Sequence, residues 1–384
     1  MSEQQDALEA GAAALSQAWG QAVVLHDVQA ISDEKRRNLI LRAIAKGRDL
    51  PDRPVILKAT RDKDYDAASP AGFDSGLAKE WVATAFLTEH LGGEQHAPVF
   101  LAGDRARGLI VLEDLGAGLA SLVGPLLNGP AEAAAQALLA YARSLGRLHA
   151  ATLGCSDGHA GILKRAFPGA VVRPPVGGPA WRENVADKVV ALLGGPAPDD
   201  EIDAIAARMA DPGPWLGLAH RDPCPDNVLF AGAEAHLLDF EFAGPGHVLL
   251  DASYWRMGFP TCWCAGRVPA DHVAAMDDVY RRELGAALPA ALGDAFDREM
   301  AVLLFVRMFA SLSWLLEGAL KEDSTWGISG NRARLLWHLE AARAGAEQAG
   351  VLPGLCAAAA RWRADLGARW PEAVPLALYP AFAA

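Results

Sequence analysis

The chain has 384 residues, of which 52% are hydrophobic and 21% charged, a globular composition that excludes wholesale disorder. Its 47 acidic residues outnumber its 35 basic ones, giving a net charge of −12, which argues against a nucleic-acid duplex or an anionic membrane surface as a general partner. At roughly 100–200 residues per domain the length suggests two or three folding units. The five cysteines are odd in number, and Cys262 and Cys264 lie too close together for zinc-knuckle spacing, so the expectation is a reduced, cytoplasmic protein. The N-terminus, MSEQQDALEAGAAAL, lacks a basic stretch followed by an apolar core and does not read as a signal peptide.

Taken in order, residues 7–19 are alanine-rich and read as a helix. Three apolar runs follow: Ala22–Leu25 leading into Val28–Ile31, then Asn38–Ala45, then Pro54–Ala59. Their β-branched content and charged breaks predict antiparallel strands in a meander. Residues 61–76 read as a loop, and residues 77–91 as a helix stopped by Gly92-Gly93. Pro98–Leu101 and Gly108–Leu112 read as two more strands. At Gly116 the character changes. A long alanine- and leucine-rich helix is predicted over 131–153, and helical periodicity dominates from about residue 270 onward. Residues 301–320 are the most apolar long stretch. Arg307 near its middle and Glu317 near its end favour a buried helix over a membrane span. The fold class expected is α+β: a small antiparallel β-rich lobe over 1–115 and a larger, mainly helical lobe over 116–384.

The segment that carries chemistry is His220 to Glu241, HRDPCPDNVLFAGAEAHLLDFE. Phosphoryl transfer needs a carboxylate to meet the acceptor hydroxyl and oxygen ligands to hold magnesium against nucleotide phosphates. Asp222 suits the first role; Asn227 and Asp239 suit the second. Upstream, Lys58 interrupts the apolar run Val55–Ala59. A lysine there is costly unless it is partnered, and Glu80 on the following helix is the natural partner, with outward exposure of Lys58 as the alternative.

With these residues in place, the chain resembles the aminoglycoside phosphotransferase and choline kinase family, relatives of the eukaryotic protein kinases. The resemblance rests on Lys58, Glu80, the run Leu109–Leu115, the LGRLHA helix end at 145–150, HRDPCPDN at 220–227, LLDFEFAG at 237–244 and Asp251 in LLDASYW. It implies a two-lobed protein-kinase-like fold that binds ATP or GTP in a cleft and transfers the γ-phosphoryl to a hydroxyl of a small molecule such as an aminoglycoside, amino alcohol or sugar. By the same resemblance, Lys58 contacts the α/β-phosphates and pairs with Glu80, and backbone groups from Glu113 to Leu115 meet the purine edge. Asp222 acts as catalytic base or orients the hydroxyl, and Asn227 and Asp239 ligate Mg²⁺. His220 and Asp251 brace the loop, with helix N-capping as the other reading of Asp251.

The chain also departs from the family. Arg221 stands where the family more often has glycine, and the turn Ser32-Asp33-Glu34-Lys35-Arg36 contains no glycine, so no Gly-rich loop covers the phosphates. A nucleotide-binding pseudokinase with a regulatory role is the alternative that this absence favours; the retention of Lys58, Asp222, Asn227 and Asp239 favours the enzyme. A protein kinase is disfavoured by Asp-Phe-Glu at 239–241 and by the lack of a following Ala-Pro-Glu. Glu89 is the alternative to Glu80, and Glu241 is either a third oxygen near the metal or an outer acceptor. Cys262-Trp263-Cys264 and His149 read as packing residues, Trp255, Trp263, Trp314, Trp326 and Trp337 as core more than as an aromatic box, and Asp277, Asp278 and Glu317 as a solvated helix face.

Overall fold

The computed structural model describes residues 2–33, 35–69, 72, 74–91, 96–172 and 175–383. The expected Gly92-Gly93 stop and Glu34 of the glycine-free turn lie outside the described residues.

One compact unit comprises Met1–Leu119, Ser156–Arg173 and His236–Gly244. It opens with α1 (Glu3–Trp19), whose first turn is capped by the Ser2 hydroxyl accepting from the Gln5 amide and whose end is closed by Gly20 in the left-handed region. Then come β1 (Val23–Ala30), β2 (Asn38–Gly47), β3 (Arg53–Thr60), α2 (Gly76–Leu91), β4 (Phe100–Asp104) and β5 (Leu109–Glu113). The five strands form one antiparallel sheet in the order β1-β2-β3-β5-β4, so the meander holds for the first three and β5 inserts beside β3. The runs 22–25 and 28–31 are a single strand, its register broken between His26 and Gln29. Pleat alternation sends Leu39, Leu41, Ala43, Ala45, Val55 and Leu57 to the face covered by α1, around buried Leu15. Burying each leucine there is worth roughly 2 kcal/mol. The same alternation turns Lys58 to the opposite face, where Ile110 and Leu112 pack with Leu77 of α2.

This unit reaches beyond residue 115. The helix Ser156–Ala166 joins it through Phe167, whose ring meets Trp81 edge-on, and the His236–Gly244 segment joins it through the Leu237 amide donating to the His96 carbonyl at 2.7 Å. A single boundary at 115/116 therefore does not describe the division, because two later segments return to the sheet-bearing unit.

The other unit comprises Ala120–Cys155, Pro174–Ala235 and Pro245–Ala384. Its principal helices are α3 (Ala131–Thr152), α4 (Leu249–Arg256), α5 (Ala270–Gly285), α6 (Asp294–Lys321), α7 (Asn331–Ala349) and α8 (Pro353–Arg369). On α3, Gly146 lets α5 approach closely: a Cβ there would sit 2.9 Å from Cβ of Glu283 and 3.1 Å from the Tyr280 carbonyl. By length and composition α6 could cross a membrane, yet 72% of its most apolar window is buried within the protein. Buried Leu303, Leu304, Phe305, Met308 and Phe309 surround its interior, as expected for a core helix that is apolar all round.

Candidate active site

The expected site residues fall into two groups, one on each unit. On the sheet-bearing unit, Lys58 Nζ lies 2.5 Å from Glu80 Oε2 and 2.5 Å from Asp239 Oδ1. Lys58 and Glu80 are 6% and 2% exposed, so the ion pair is a buried one, whereas Glu89 is exposed and pairs with Arg165 at 2.6 Å. That settles which helix carboxylate faces the lysine. Burial works against the Lys58 charge, but Glu80 and Asp239 outweigh it and hold the ammonium well above its usual range. Burial pushes the Glu80 carboxyl up to about 7 against the pull of Lys58. Asp239 itself sits at φ +60°, a left-handed conformation that is sparsely populated and concentrates at functional sites. Two residues on, Glu241 is buried and its Oε1 takes a bond from Arg37 Nη2 at 2.5 Å.

At the end of β5, the Glu113 amide donates to the Val99 carbonyl and the Asp114 amide to the Pro54 carbonyl. The Asp114 carboxylate is held by Arg42 at 2.6 and 3.1 Å. The next amide, that of Leu115, has no partner among the described residues, which leaves a backbone donor where the purine edge was expected.

On the helical unit, Asp222 takes a long 3.5 Å bond from Asn227 Nδ2 on one oxygen and is gripped through the other. Thr261 Oγ1 donates to its Oδ1 at 2.8 Å, and the Tyr254 hydroxyl stands 3.2 Å from the same atom. Tyr254 also reaches the Arg221 carbonyl at 2.7 Å and receives Arg307 Nη1 at 3.3 Å, with the Arg307 guanidinium 4.2 Å above its ring. Burial keeps the Tyr254 proton on, so the hydroxyl serves as a donor. Burial also raises the Asp222 carboxyl, while Thr261, His220, Tyr254 and Arg307 pull it back. The Asn227 amide nitrogen donates to the Asp222 carbonyl at 3.0 Å, which leaves its oxygen as the atom for a cation.

Asp251 is fully buried in the first turn of α4 and caps no amide of that helix. Its carboxylate instead accepts from the His220 and Arg221 amides at 2.6 and 2.7 Å and from His149 Nε2 at 3.1 Å. Burial opposes its charge, but His149 and His220 more than compensate and hold the carboxyl low. His149 also bonds the Tyr280 hydroxyl at 2.7 Å and is thus a packed link in this brace.

A model of the phosphotransferase enzyme family, APH, matches residues 68–293, more than half of the chain. The chain belongs to this family. The solved structures it resembles include choline kinase LicA from Streptococcus pneumoniae, at 13% identity over 83% of this chain and 94% of that one, with a TM-score of 0.43. Plasmodium vivax ethanolamine kinase aligns at 11% identity over 82% of each chain, with a TM-score of 0.48. Macrolide 2′-phosphotransferase MphH from Brachybacterium faecium aligns at 16% identity over 79% of this chain and 94% of that one, with a TM-score of 0.42. No curated protein matches the chain.

Several residues of this phosphotransferase stand differently from expectation. Asp277 is not on a solvated face: it is buried, bonded to Trp255 Nε1 at 2.9 Å and Arg256 Nη2 at 2.7 Å, because α5 turns it onto α4. Asp278 and Glu317 are exposed as expected. Of the tryptophans, Trp255 is core, but Trp314 and Trp263 are 60% and 39% exposed, and Trp314 meets Trp326 edge-on at 5.1 Å. Trp263 Nε1 donates to Asp226 inside the Asp222–Asn227 loop. Cys262 does not simply pack: it forms a disulfide with Cys224 of the same loop, whereas every cysteine was expected reduced. Thr261 and Tyr254 were missed altogether, since neither belongs to a spacing motif. Arg307 carried a usable signal, an arginine alone in an apolar helix that must find partners.

Proposed function

We propose that this phosphotransferase moves the γ-phosphoryl of ATP, or of GTP, to a hydroxyl of a small molecule. The observation that carries the reading is the setting of Asp222: one carboxylate oxygen is held by Thr261 and Tyr254, and the other takes a long bond from Asn227 Nδ2 at 3.5 Å and would also meet an acceptor hydroxyl. Asp222 would orient that hydroxyl and take up its proton as the phosphorus–oxygen bond forms. Lys58, steadied by Glu80, would bind the α/β-phosphates, and the Leu115 amide with its neighbours would bind the purine edge.

The donor types of the expected ligands suit Mg²⁺. Asn227 offers an amide oxygen and Asp239 a partly exposed carboxylate, and Mg²⁺ is usually held by one or two such groups together with substrate phosphates. When bound, the ion would neutralise phosphate charge; Asn227 and Asp239 would hold it. Transfer then rests on alignment and charge complementarity rather than on a covalent enzyme intermediate.

For the acceptor, the exposed Trp263 bonded to Asp226 supports a small molecule that presents an apolar face or a cation beside its hydroxyl. Amino alcohols, aminoglycosides and sugars all satisfy this. Incubation of the protein with Mg-ATP or Mg-GTP and pooled compounds of these classes tests the reading by mass spectrometry. A product heavier by one phosphoryl group, absent with Asp222→Asn, is the expected result. Nucleotide binding with no product from any pool and no slow hydrolysis would favour the pseudokinase instead.

A further inference from the structure

The glycine-free turn between β1 and β2 raises the question of what faces the nucleotide phosphates. In a Gly-rich loop the donors are backbone amides. Here three amides among the described residues of this region are already engaged within it. The Lys35 amide donates to Asp33 Oδ1 at 2.9 Å, the Arg36 amide to the Asp33 carbonyl at 3.3 Å, and the Ile40 amide to Ser32 Oγ at 2.8 Å. The turn is also pinned from beneath. Arg61, at the end of β3, donates Nη1 to the carbonyls of Asp33 and Arg36, gives its own amide to the Arg37 carbonyl, and is itself held by Glu3.

What the pinned turn presents is guanidinium. Arg36 and Arg37 line an open cavity of about 900 Å³ together with Asn38, Thr60, Gly76 and Glu241. The Arg37 side chain is 77% exposed apart from its one carboxylate contact, Glu241, whose side chain is only 10% exposed. Gly76 makes room for that carboxylate, since a Cβ there would lie 3.1 Å from Glu241 Cβ. Arg37 and Lys58 thus bind two carboxylates of one segment, Asp239-Phe240-Glu241.

We infer that Arg37 is a phosphate ligand of this phosphotransferase, exchanging Glu241 for the terminal phosphate of the nucleotide in place of glycine-loop amides. This rests on the proposed use of a nucleoside triphosphate and adds a residue that the motifs do not assign. An exposed guanidinium on a fixed turn suits the role. It forms bidentate, charge-assisted bonds to phosphate, and little else in the fold depends on it.

Binding of AMP-PNP, ADP and AMP to the wild type, Arg37→Ala and Glu241→Gln, measured by calorimetry in EDTA, tests this without turnover. Arg37→Ala should weaken AMP-PNP roughly tenfold or more and AMP by less than about twofold. Glu241→Gln removes the competing carboxylate and should tighten AMP-PNP in the wild type but not in the Arg37→Ala background. Equal weakening of all three nucleotides, or none, would overturn the inference while leaving the kinase reading intact. A wild type that binds none of them, with or without Mg²⁺, would overturn both.

Discussion

Replacing Lys58 with methionine isolates the buried carboxylate beside it. Methionine keeps the length and apolar stem of lysine but removes the charge. Glu80, 2% exposed, then loses the cation that most lowers its pKa. In the wild type its carboxyl rises from 4.5 to about 7 on folding. Between those values the folded state keeps a proton that the unfolded chain releases, so stability falls as pH rises through this window and levels off above it. In Lys58→Met the folded value climbs further and the window extends upward. Below pH 7, where Glu80 keeps its proton in both folded proteins, the two should run parallel. Above pH 7 the gap should widen by about 1.4 kcal/mol per pH unit. Urea unfolding at pH 6.5, 7.5 and 8.5, with hydrogen exchange read on the Gly76–Leu91 helix, measures this. Lys58→Met/Glu80→Gln should lose the widening. A gap that is constant with pH, or that still widens in the double variant, would refute a buried Lys58–Glu80 pair as the origin.

Other outcomes follow from the same geometry. Thr261→Val removes the donor that lowers the Asp222 carboxyl, so the acidic limb of the kcat/KM profile should move to higher pH; a profile that loses height without shifting would contradict the hydrogen bond's role. Asp251→Asn weakens the anchor of two loop amides and the His149 bond and should cost about 3 kcal/mol in thermal unfolding, with transfer lost in parallel. Glu80→Gln should cut nucleotide affinity, whereas Glu89→Gln, which breaks only an exposed pair with Arg165, should leave affinity within about twofold and stability within about 1 kcal/mol.

How much of this was legible beforehand depended on whether a residue announced a cost. Lys58 in an apolar strand did so, and its partner lay one element downstream. The His220–Asn227 loop was readable because its residue types recur at short spacing. Thr261 was not readable: it meets Asp222 from 39 residues away, through folding alone. The return of His236–Gly244 to the sheet-bearing unit was equally hidden, since chain order places it within the span assigned to the helical lobe. The Cys224–Cys262 pairing escaped a count that looked only at neighbours along the chain. Trp263 and Trp314 were assigned to the core from helical spacing, yet an aromatic residue's exposure is decided by what packs over it.

Arg221 adds something about timing. It stands at φ +69°, a conformation glycine adopts freely and arginine does not. Its amide goes to Asp251, its carbonyl takes the Tyr254 hydroxyl, and its guanidinium reaches the Pro245 carbonyl at 2.9 Å. With glycine here the loop would be easier to build but free to wander. With arginine, the conformational entropy of placing Asp222 is surrendered once, during folding, and is not demanded again at each turnover. An Arg221→Gly enzyme would be expected to hold its substrates about as well and to pass the phosphoryl group more slowly, a defect in kcat rather than in KM.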